Sequence, residues 1–248
     1  MTVPAFYPIF LREMLLFKRK LIRIGYLFSA MVAPVIYLVT FGLGLGRSVQ
    51  MKDTDYLTYL IPGLVAMSSM TNSYTWVASA LNLNRLYFKS FQILIQAPVP
   101  ASAVMIGEVL AGMVKGLFAA GLIIAVGFVL APHFLLTPLL GIALLLNCAL
   151  FASLGVVTGM ITKTHEDTAT YNNFFILPMA FFSGTFFPIE KIPEMLRPVV
   201  WLLPLTHANI VMRRHSLEWD TAVSLVVLVL YAILFFVVGE RLIRNYSE

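Results

Sequence analysis

The sequence predicts an all-α integral membrane protein with six transmembrane helices in a single domain, 1–248. Of the 248 residues, 60% are hydrophobic and only 12% are charged, and the mean hydropathy is +0.88. Soluble domains are about half apolar and about one quarter charged. Six apolar segments each approach the roughly 20 residues that a spanning helix needs. Together they take up nearly all of the chain.

Both termini are predicted to lie on the same side of the membrane, because the number of spans is even. Cytoplasmic segments are enriched in Lys and Arg. With the N-terminus inside, the inner segments hold ten of the seventeen basic residues and the outer segments hold six, which favours cytoplasmic termini. The predicted spans are 25–46, 57–80, 102–131, 135–161, 169–187 and 221–240.

Residues 4–24 are predicted to form an amphipathic helix at the membrane interface. A helix of this kind lies in an anionic leaflet with its cations near the lipid phosphates. The same basic residues also suit a positive-inside anchor for the first span. One face holds Phe6, Phe10, Met14, Phe17, Leu21 and Ile24, and the opposite face holds Arg12, Arg19 and Arg23.

A second amphipathic helix is predicted over 82–97, between the second and third spans. Its apolar positions recur on one helical stripe, and Pro98 and Pro100 end the pattern. Such a helix on the cytoplasmic face either rests on lipid or fits a groove on a partner protein. The pattern alone leaves both possibilities open.

Two ionisable residues, Glu108 and Lys115, interrupt the third span. Their spacing of seven residues puts them on one helical face, together with Gly112 and Ala119. A charge at this depth is costly in contact with lipid, so the face is predicted to turn toward protein or water. It forms either a polar wall of a translocation path or a structural charge that is paired across helices.

The stretch from Tyr171 to Arg214 combines a span with a broken return. Three polar residues, Tyr171, Asn172 and Asn173, begin the fifth span, and prolines at 188, 193, 198 and 204 prevent any long helix after it. The apolar segment that follows is about half as long as a span requires. The segment 189–212 is therefore predicted to dip into the membrane or to lie on it, without crossing it.

The chain lacks recognisable chemistry of its own. No Gly-Lys dipeptide occurs, so there is no phosphate-binding loop, and neither H-E-x-x-H nor G-x-S-x-G is present. Cys148 is the single cysteine, and the His165-Glu166 pair is interpreted as a solvated turn. The net charge of +5 lies beside apolar segments, which argues against nucleic-acid binding. These features predict a transport subunit without enzymatic activity, powered by another polypeptide.

The stretch after the fifth span resembles the type-2 permease family of ATP-binding-cassette (ABC) exporters. The resemblance rests on two ordered elements about fifteen residues apart, Phe182-Ser183-Gly184-Thr185-Phe186-Phe187-Pro188 and Leu203-Pro204-Leu205-Thr206-His207-Ala208, followed by a basic residue at Arg213 or Arg214. The layout of an amphipathic N-terminal helix and six spans extends the resemblance over essentially the whole chain.

The resemblance implies a half-transporter in the bacterial cytoplasmic (inner) membrane, surrounded by membrane lipids. It pairs with a second permease copy, usually as a homodimer, and with a separate ABC ATPase subunit. No cofactor is expected on this chain, since ATP and Mg bind the ATPase. The helix over 82–97 becomes a coupling helix, with contacts to the ATPase from Arg85, Tyr87, Phe88, Lys89 and Phe91.

The resemblance also implies that the first and fifth spans line the export path, with Tyr171, Asn172 and Asn173 at its inner part. Glu108 and Lys115 are the further candidates for the path. His207 either binds a ligand or makes a structural hydrogen bond at a helix cap. The resemblance further implies that the segment 189–212 forms outer re-entrant helices that close the exit. The outer gate motif comprises Ser183, Gly184, Phe187, Pro188, Pro204, Thr206 and His207.

The expected function is export of an amphiphilic, glycolipid, polysaccharide or hydrophobic drug-like substrate. Two alternatives belong to other classes. An intramembrane enzyme acting on lipid-linked substrates would need paired acidic or His-Asp groups at the interface, and only His165, Glu166 and Asp167 offer them. An ion-coupled carrier or channel would use Glu108 and Lys115.

Overall fold

The fold is known from a computed structural model that describes residues 4–22, 32–45, 55–131 and 134–246. Within these ranges the regular structure is helical and contains no strand, which confirms the all-α prediction. The helices are α1 (Tyr7–Ile22), α2 (Val32–Gly42, with π-helical bonding over Leu38–Leu45), α3 (Tyr56–Leu86), α4 (Ser90–Gln96), α5 (Ala101–Leu130), α6 (Pro138–Ile161), α7 (165–182), α8 (Arg197–Leu202), α9 (Pro204–Arg213) and α10 (Trp219–Arg244).

Three helices of the described part, α5, α6 and α10, are long and apolar enough to cross a membrane. The pair Glu194–Leu202 and Pro204–Arg213 bends by 90° and brings the number to four if it is counted as one span. The predicted first span, 25–46, lies partly outside the described residues. The six-span count therefore stays a prediction.

Helix α3 is the centre of the bundle and packs against α5 on one side and α6 on the other. Hydrogen bonds join α3 to α6: Asn147 Nδ2 of α6 donates to the Ala66 backbone carbonyl at 3.0 Å and to Ser69 Oγ at 2.9 Å. Glycines allow the close approach. A Cβ on Gly116 of α5 would lie 1.9 Å from Ser73 Oγ, and one on Gly155 of α6 would lie 2.7 Å from Tyr74 O. The backbones of the three helices are thus in direct contact.

Helix α1 runs along α5. Ile9 packs against Gly107 near the start of α5, while the ring of Phe17 meets that of Phe118 edge-on at 5.6 Å. The helix predicted over 4–24 is present as α1, but its buried positions are Ile9, Glu13 and Phe17. This face is rotated from the predicted apolar stripe because it is set by packing against α5. The location of α1 at a membrane interface stays a prediction.

The helix predicted over 82–97 is divided in the structure. Helix α3 continues to Leu86, the chain turns over 87–89, and only Ser90–Gln96 forms the separate α4. The turn passes through Lys89, whose φ of 55° lies in the left-handed region and interrupts helical bonding. Gln92 Nε2 donates to Arg85 O at 3.0 Å and ties α4 back to α3. The apolar period continues through the turn, so the pattern alone does not reveal it.

The return after the fifth span begins earlier than predicted. Helix α7 consists of His165–Tyr171, a π-helical turn Asn172–Ile176 and Leu177–Phe182. The chain then leaves helical geometry at Ser183, with a φ of +75° at Gly184. The 189–212 segment contains two 3₁₀ turns followed by α8 and α9. It is broken into short helices, as its prolines predict.

Candidate functional site

The turn between α3 and α4 presents aromatic side chains at one end of the bundle. Tyr87 is 63% exposed and Phe88 is 70% exposed, and Ile93 of α4 adds a further exposed apolar side chain. Lys89 lies at the surface between them. Three of the five predicted ATPase contacts, Tyr87, Phe88 and Lys89, are therefore accessible to another protein.

The other two predicted contacts, Arg85 and Phe91, are buried inside the chain. Arg85 Nη2 donates to Thr162 O at the end of α6, and its guanidinium lies 5.8 Å from the ring of Tyr246. Phe91 meets the same ring edge-on at 5.5 Å. These two side chains fix the turn to α6 and to the C-terminal segment.

Glu108 and Lys115 belong to a buried cluster of four charges between α1 and α5. Lys115 Nζ lies 2.8 Å from Glu13 Oε2, and Arg12 Nη2 lies 3.0 Å from Glu13 Oε1 and 3.3 Å from Glu108 Oε1. The ring of Trp76 lies 4.9 Å from Lys115 Nζ. The sequence reasoning missed Glu13 as a partner. The sequence does single out Glu13, because it is the only acidic residue in the otherwise basic segment 4–24.

The polar start of the predicted fifth span lies elsewhere, on α7. Asn172 Oδ1 accepts a hydrogen bond from Thr75 Oγ1 of α3 at 3.3 Å. The ring of Tyr171 stacks on Phe175 at 5.8 Å, and Tyr171 and Asn173 are exposed. Across the described ranges, no hydrogen bond or ion pair joins these residues to Glu108 or Lys115. The predicted path residues therefore form two separate groups.

The Ser183–Phe186 turn is held by side chains from other helices. Four successive carbonyls of this buried, non-helical segment each accept a hydrogen bond, as backbone in an apolar environment requires. The sequence motif therefore forms a rigid turn. The donors are Asn209 Nδ2 to Ser183 O at 2.8 Å, Tyr59 Oη to Gly184 O at 2.7 Å, Arg213 Nη2 to Thr185 O at 3.1 Å and Tyr56 Oη to Phe186 O at 3.0 Å.

The basic residue of the motif that reaches this turn is Arg213. Its neighbour Arg214 points to acidic partners, Asp220 at 2.7 Å and Glu218 at 3.7 Å. Gly63 of α3 lies against the turn, where a Cβ would be 2.5 Å from Thr185 O and 2.7 Å from Arg213 Nη2. Only glycine allows α3 this close approach.

His207 connects α8, α9 and α10 through both ring nitrogens. Nε2 lies 2.9 Å from Trp201 O, and Nδ1 lies 3.2 Å from Ser224 Oγ. Because a carbonyl only accepts, Nε2 carries the hydrogen and Nδ1 accepts from the serine hydroxyl. Thr206 Oγ1 donates to Val200 O at 2.6 Å. Pro204, at the first turn of α9, and these two side chains together fix the bend between α8 and α9.

An apolar cavity of about 680 Å³ opens between α7 and the broken segment. A smaller cavity of about 260 Å³ lies beside it and shares Pro178, Phe182 and Leu196. Among the described residues, no three His, Cys, Asp or Glu side chains come together to hold a metal. The larger cavity is lined by Leu177, Pro178, Phe181, Phe182, Phe186, Phe187, Lys191, Ile192, Pro193 and Leu196.

Apolar helices around a glycine-packed core, a buried charge cluster and a side-chain-capped turn define a helical multi-pass membrane protein. The family model described as "ABC-2 type transporter" matches residues 5–215. The chain belongs to this family, and the resemblance to type-2 ABC permeases is confirmed. It is the membrane permease of an ABC transporter of the bacterial inner membrane, and the family implies association with an ABC ATPase subunit.

Similar proteins carry compatible names. The chain is 26% identical over 187 residues to the inner membrane transport permease YadH of Escherichia coli strain K12, covering 71% of this chain and 73% of that protein. It is 28% identical over 219 residues to nodulation protein J of Neorhizobium galegae, covering 86% and 83%. It is 26% identical over 217 residues to nodulation protein J of Rhizobium leguminosarum bv. viciae, covering 86% and 84%.

Proposed function

We propose that this permease exports an amphiphilic, glycolipid, polysaccharide or hydrophobic drug-like substrate from the cytoplasm. A separate ATPase binds ATP and Mg, and two permease copies form the membrane part. Family membership supports the coarse assignment. The aromatic cavity of about 680 Å³ supports the substrate class, because it offers apolar walls to an acyl chain or ring system, with Lys191 among its lining residues.

The observation that carries the coupling mechanism is the exposed aromatic turn over 87–89. An apolar patch formed by Tyr87, Phe88 and Ile93 is costly in water and suits a groove on a partner. Lys89 adds a cation to this surface. Arg85 and Phe91 act from within the chain: they transmit a displacement of the turn to α6 and to the C-terminal segment.

We propose that α2 of one subunit and α7 of the other line the cytoplasmic part of the export path. Tyr171 and Asn173 are exposed near the middle of α7, and the apolar surface of Phe174 and Phe175 follows. The aromatic surface is available to a second copy or to lipid. The Ser183–Phe186 turn and the α8–α9 bend then form the outer gate, including Phe187 and Pro188. Their fixed hydrogen bonds support a gate that moves as a unit.

The test is lipid-stimulated ATP hydrolysis by the complex with an ATPase encoded beside the permease gene. We expect Phe88→Ala and Tyr87→Ala to weaken ATPase binding, since truncating an aromatic contact at an interface costs about 2 kcal/mol, roughly thirtyfold in affinity. Gln96→Ala, an exposed position on α4, is the matched control. If no ATPase associates with the permease, the proposal of ATP-driven export is refuted. Unchanged binding and activity in both aromatic variants would refute docking at this turn.

An ion-coupled carrier would use Glu108 and Lys115. The ion pairs of these residues with Arg12 and Glu13 support a structural role, while the proposed role in the path requires them to respond to substrate. Glu108→Gln separates the two, because a path residue would impair transport at unchanged thermal stability. A purely structural charge would lower stability and leave the transport rate per folded molecule unchanged.

A further inference from the structure

Arg213 is a half-buried cation whose partners are neutral. Its Nε donates to Tyr59 O at 3.2 Å, its Nη2 donates to Thr185 O at 3.1 Å, and its guanidinium lies 3.8 Å from the centroid of the Tyr59 ring. No carboxylate within the described part of the chain lies within the 4.0 Å of an ion pair. Glu190 acts on Arg213 electrostatically from a greater distance. The adjacent Arg214, by contrast, has two carboxylate partners.

The side chain of Arg213 borders a pocket of about 110 Å³ at the end of the bundle opposite α4. Thr58, Thr137 and His215 supply further polar groups to its wall. The remaining guanidinium nitrogen, Nη1, makes no hydrogen bond to any described residue. About 10 to 15 Å³ of such volume holds one water molecule, and sites for drug-sized ligands are about 300 Å³ or larger, so the pocket has room for a small polyatomic ion and none for a whole amphiphile.

We propose that this pocket binds a phosphate group or a similar small oxyanion, supplied by a lipid headgroup or by solution. A guanidinium presents its N–H groups in a planar fork that fits an oxyanion, and an uncompensated cation in a partly buried site is costly. The hydroxyls of Thr58 and Thr137 and the His215 ring extend the set of possible donors. With the N-terminus in the cytoplasm, the pocket lies at the outer interface, at the depth of lipid headgroups.

The test measures binding to the purified permease alone, so its result is independent of the exporter proposal. Thermal unfolding is followed while inorganic phosphate is titrated against chloride at constant ionic strength. Parallel titrations use dioctanoyl phosphatidylglycerol and, as the phosphate-free control, dioctanoylglycerol. We expect phosphate-bearing ligands to raise the unfolding temperature of the wild type and the control to have no such effect. Stabilisation by both phosphate compounds identifies a general oxyanion site, and stabilisation by the phospholipid alone identifies a headgroup site.

Variants locate the binding. Arg213→Gln should weaken the apparent affinity about tenfold or more, the effect of losing one charge-assisted hydrogen bond. Because Arg213 also holds the Ser183–Phe186 turn, the double variant Thr58→Val with His215→Ala tests the pocket while the arginine stays in place, and it should also weaken binding. Arg214→Gln is the matched control and should bind as the wild type. Absence of binding to the wild type, or unchanged binding in both pocket variants, would overturn the proposal.

Discussion

Buried charges connect the N-terminal helix to the third predicted span. Glu13 and Lys115 are each at most 2% exposed, and they pair at 2.8 Å within the four-charge cluster between α1 and α5. Taking two charges out of water is costly, and removing Glu13 deprives the buried Lys115 of its ion pair, whereas removing Lys115 leaves Glu13 paired with Arg12. The position of α1 against α5 therefore depends on both charges.

A double-mutant cycle tests this dependence. Glu13→Met should lower the free energy of unfolding by about 3 to 5 kcal/mol. Lys115→Met should cost less, because Glu13 keeps its ion pair with Arg12, and the double variant should lose less than the sum of the two. Glu194→Gln, which removes an exposed glutamate, should have little effect. Thermal or denaturant unfolding in detergent provides the measurement. Additive losses in the double variant would contradict the pair.

A second residue-scale prediction concerns Gly63. In Gly63→Ala the new methyl group would meet Thr185 O and Arg213 Nη2, and their displacement should cost about 1 to 3 kcal/mol of stability. Gly141→Ala is the matched control, because a Cβ there meets nothing within 4 Å. We expect the control to be neutral or to stabilise α6 by at most about 1 kcal/mol. Equal unfolding temperatures for the two variants would show that the Ser183–Phe186 turn accommodates the new methyl group at no cost in stability.

At the scale of elements, α7 begins with a capping box. Thr164 Oγ1 accepts from Asp167 N at 3.0 Å, and Asp167 Oδ2 accepts from Lys163 N at 3.0 Å and Thr164 N at 2.9 Å. The backbone hydrogen bonds from Lys163 and Thr164 lower the pKa of the Asp167 carboxyl. The carboxylate form thus fixes the first turn of the helix that leads to the path residues.

The sign of the pH dependence follows from the lowered pKa. The cap contributes fully above the ordinary aspartate pKa of about 3.9 and is lost as pH falls through the lower pKa of the folded protein. Hydrogen exchange of the 165–171 amides should show protection that decreases at acid pH in the wild type. Asp167→Asn should remove that dependence, and Thr164→Ala should cost about 1 kcal/mol. Glu166→Gln is the control; if it behaved as Asp167→Asn does, the cap would not be the cause.

Elements differ in how far the sequence determines them. The long apolar runs predict α5, α6 and α10 to within a few residues, because a membrane helix is encoded by local composition. The turn at Lys89 is not predicted from the sequence. The apolar residues of 82–97 keep their helical spacing across the turn, so the pattern does not show that Lys89 adopts a left-handed conformation. The pairing of Glu13 with Lys115 is also missed: it depends on how two distant helices pack.

The same distinction applies to the motif after α7. Its prolines predict a broken return, and the structure contains one. The four side-chain donors to the Ser183–Phe186 carbonyls come from α3 and α9. No local pattern in the sequence links Tyr56 or Tyr59 to this turn, because more than 120 residues separate them.

At the scale of the whole molecule, the predicted orientation has a direct test. Cys148, the only cysteine, is fully buried, so single cysteines can be introduced at opposite ends of the bundle with little background labelling. In Gln96→Cys a membrane-impermeant maleimide should react only from the cytoplasmic side. In Glu218→Cys it should react only from the outside. The reverse pattern would invert the orientation, and labelling of both from one side would contradict the two-ended bundle.

The glycines between α3, α5 and α6 have a mechanical consequence. At these glycines the backbone of one helix lies against its neighbour. If one helix slid by a turn, a residue with a side chain would take the glycine's place and clash, so we expect the three helices to resist sliding past one another. We expect them to move as one rigid body. We therefore expect the transport cycle to move α2 and α7, which face α3 across a cavity of about 150 Å³. On this proposal, the helices that move are the two that line the export path.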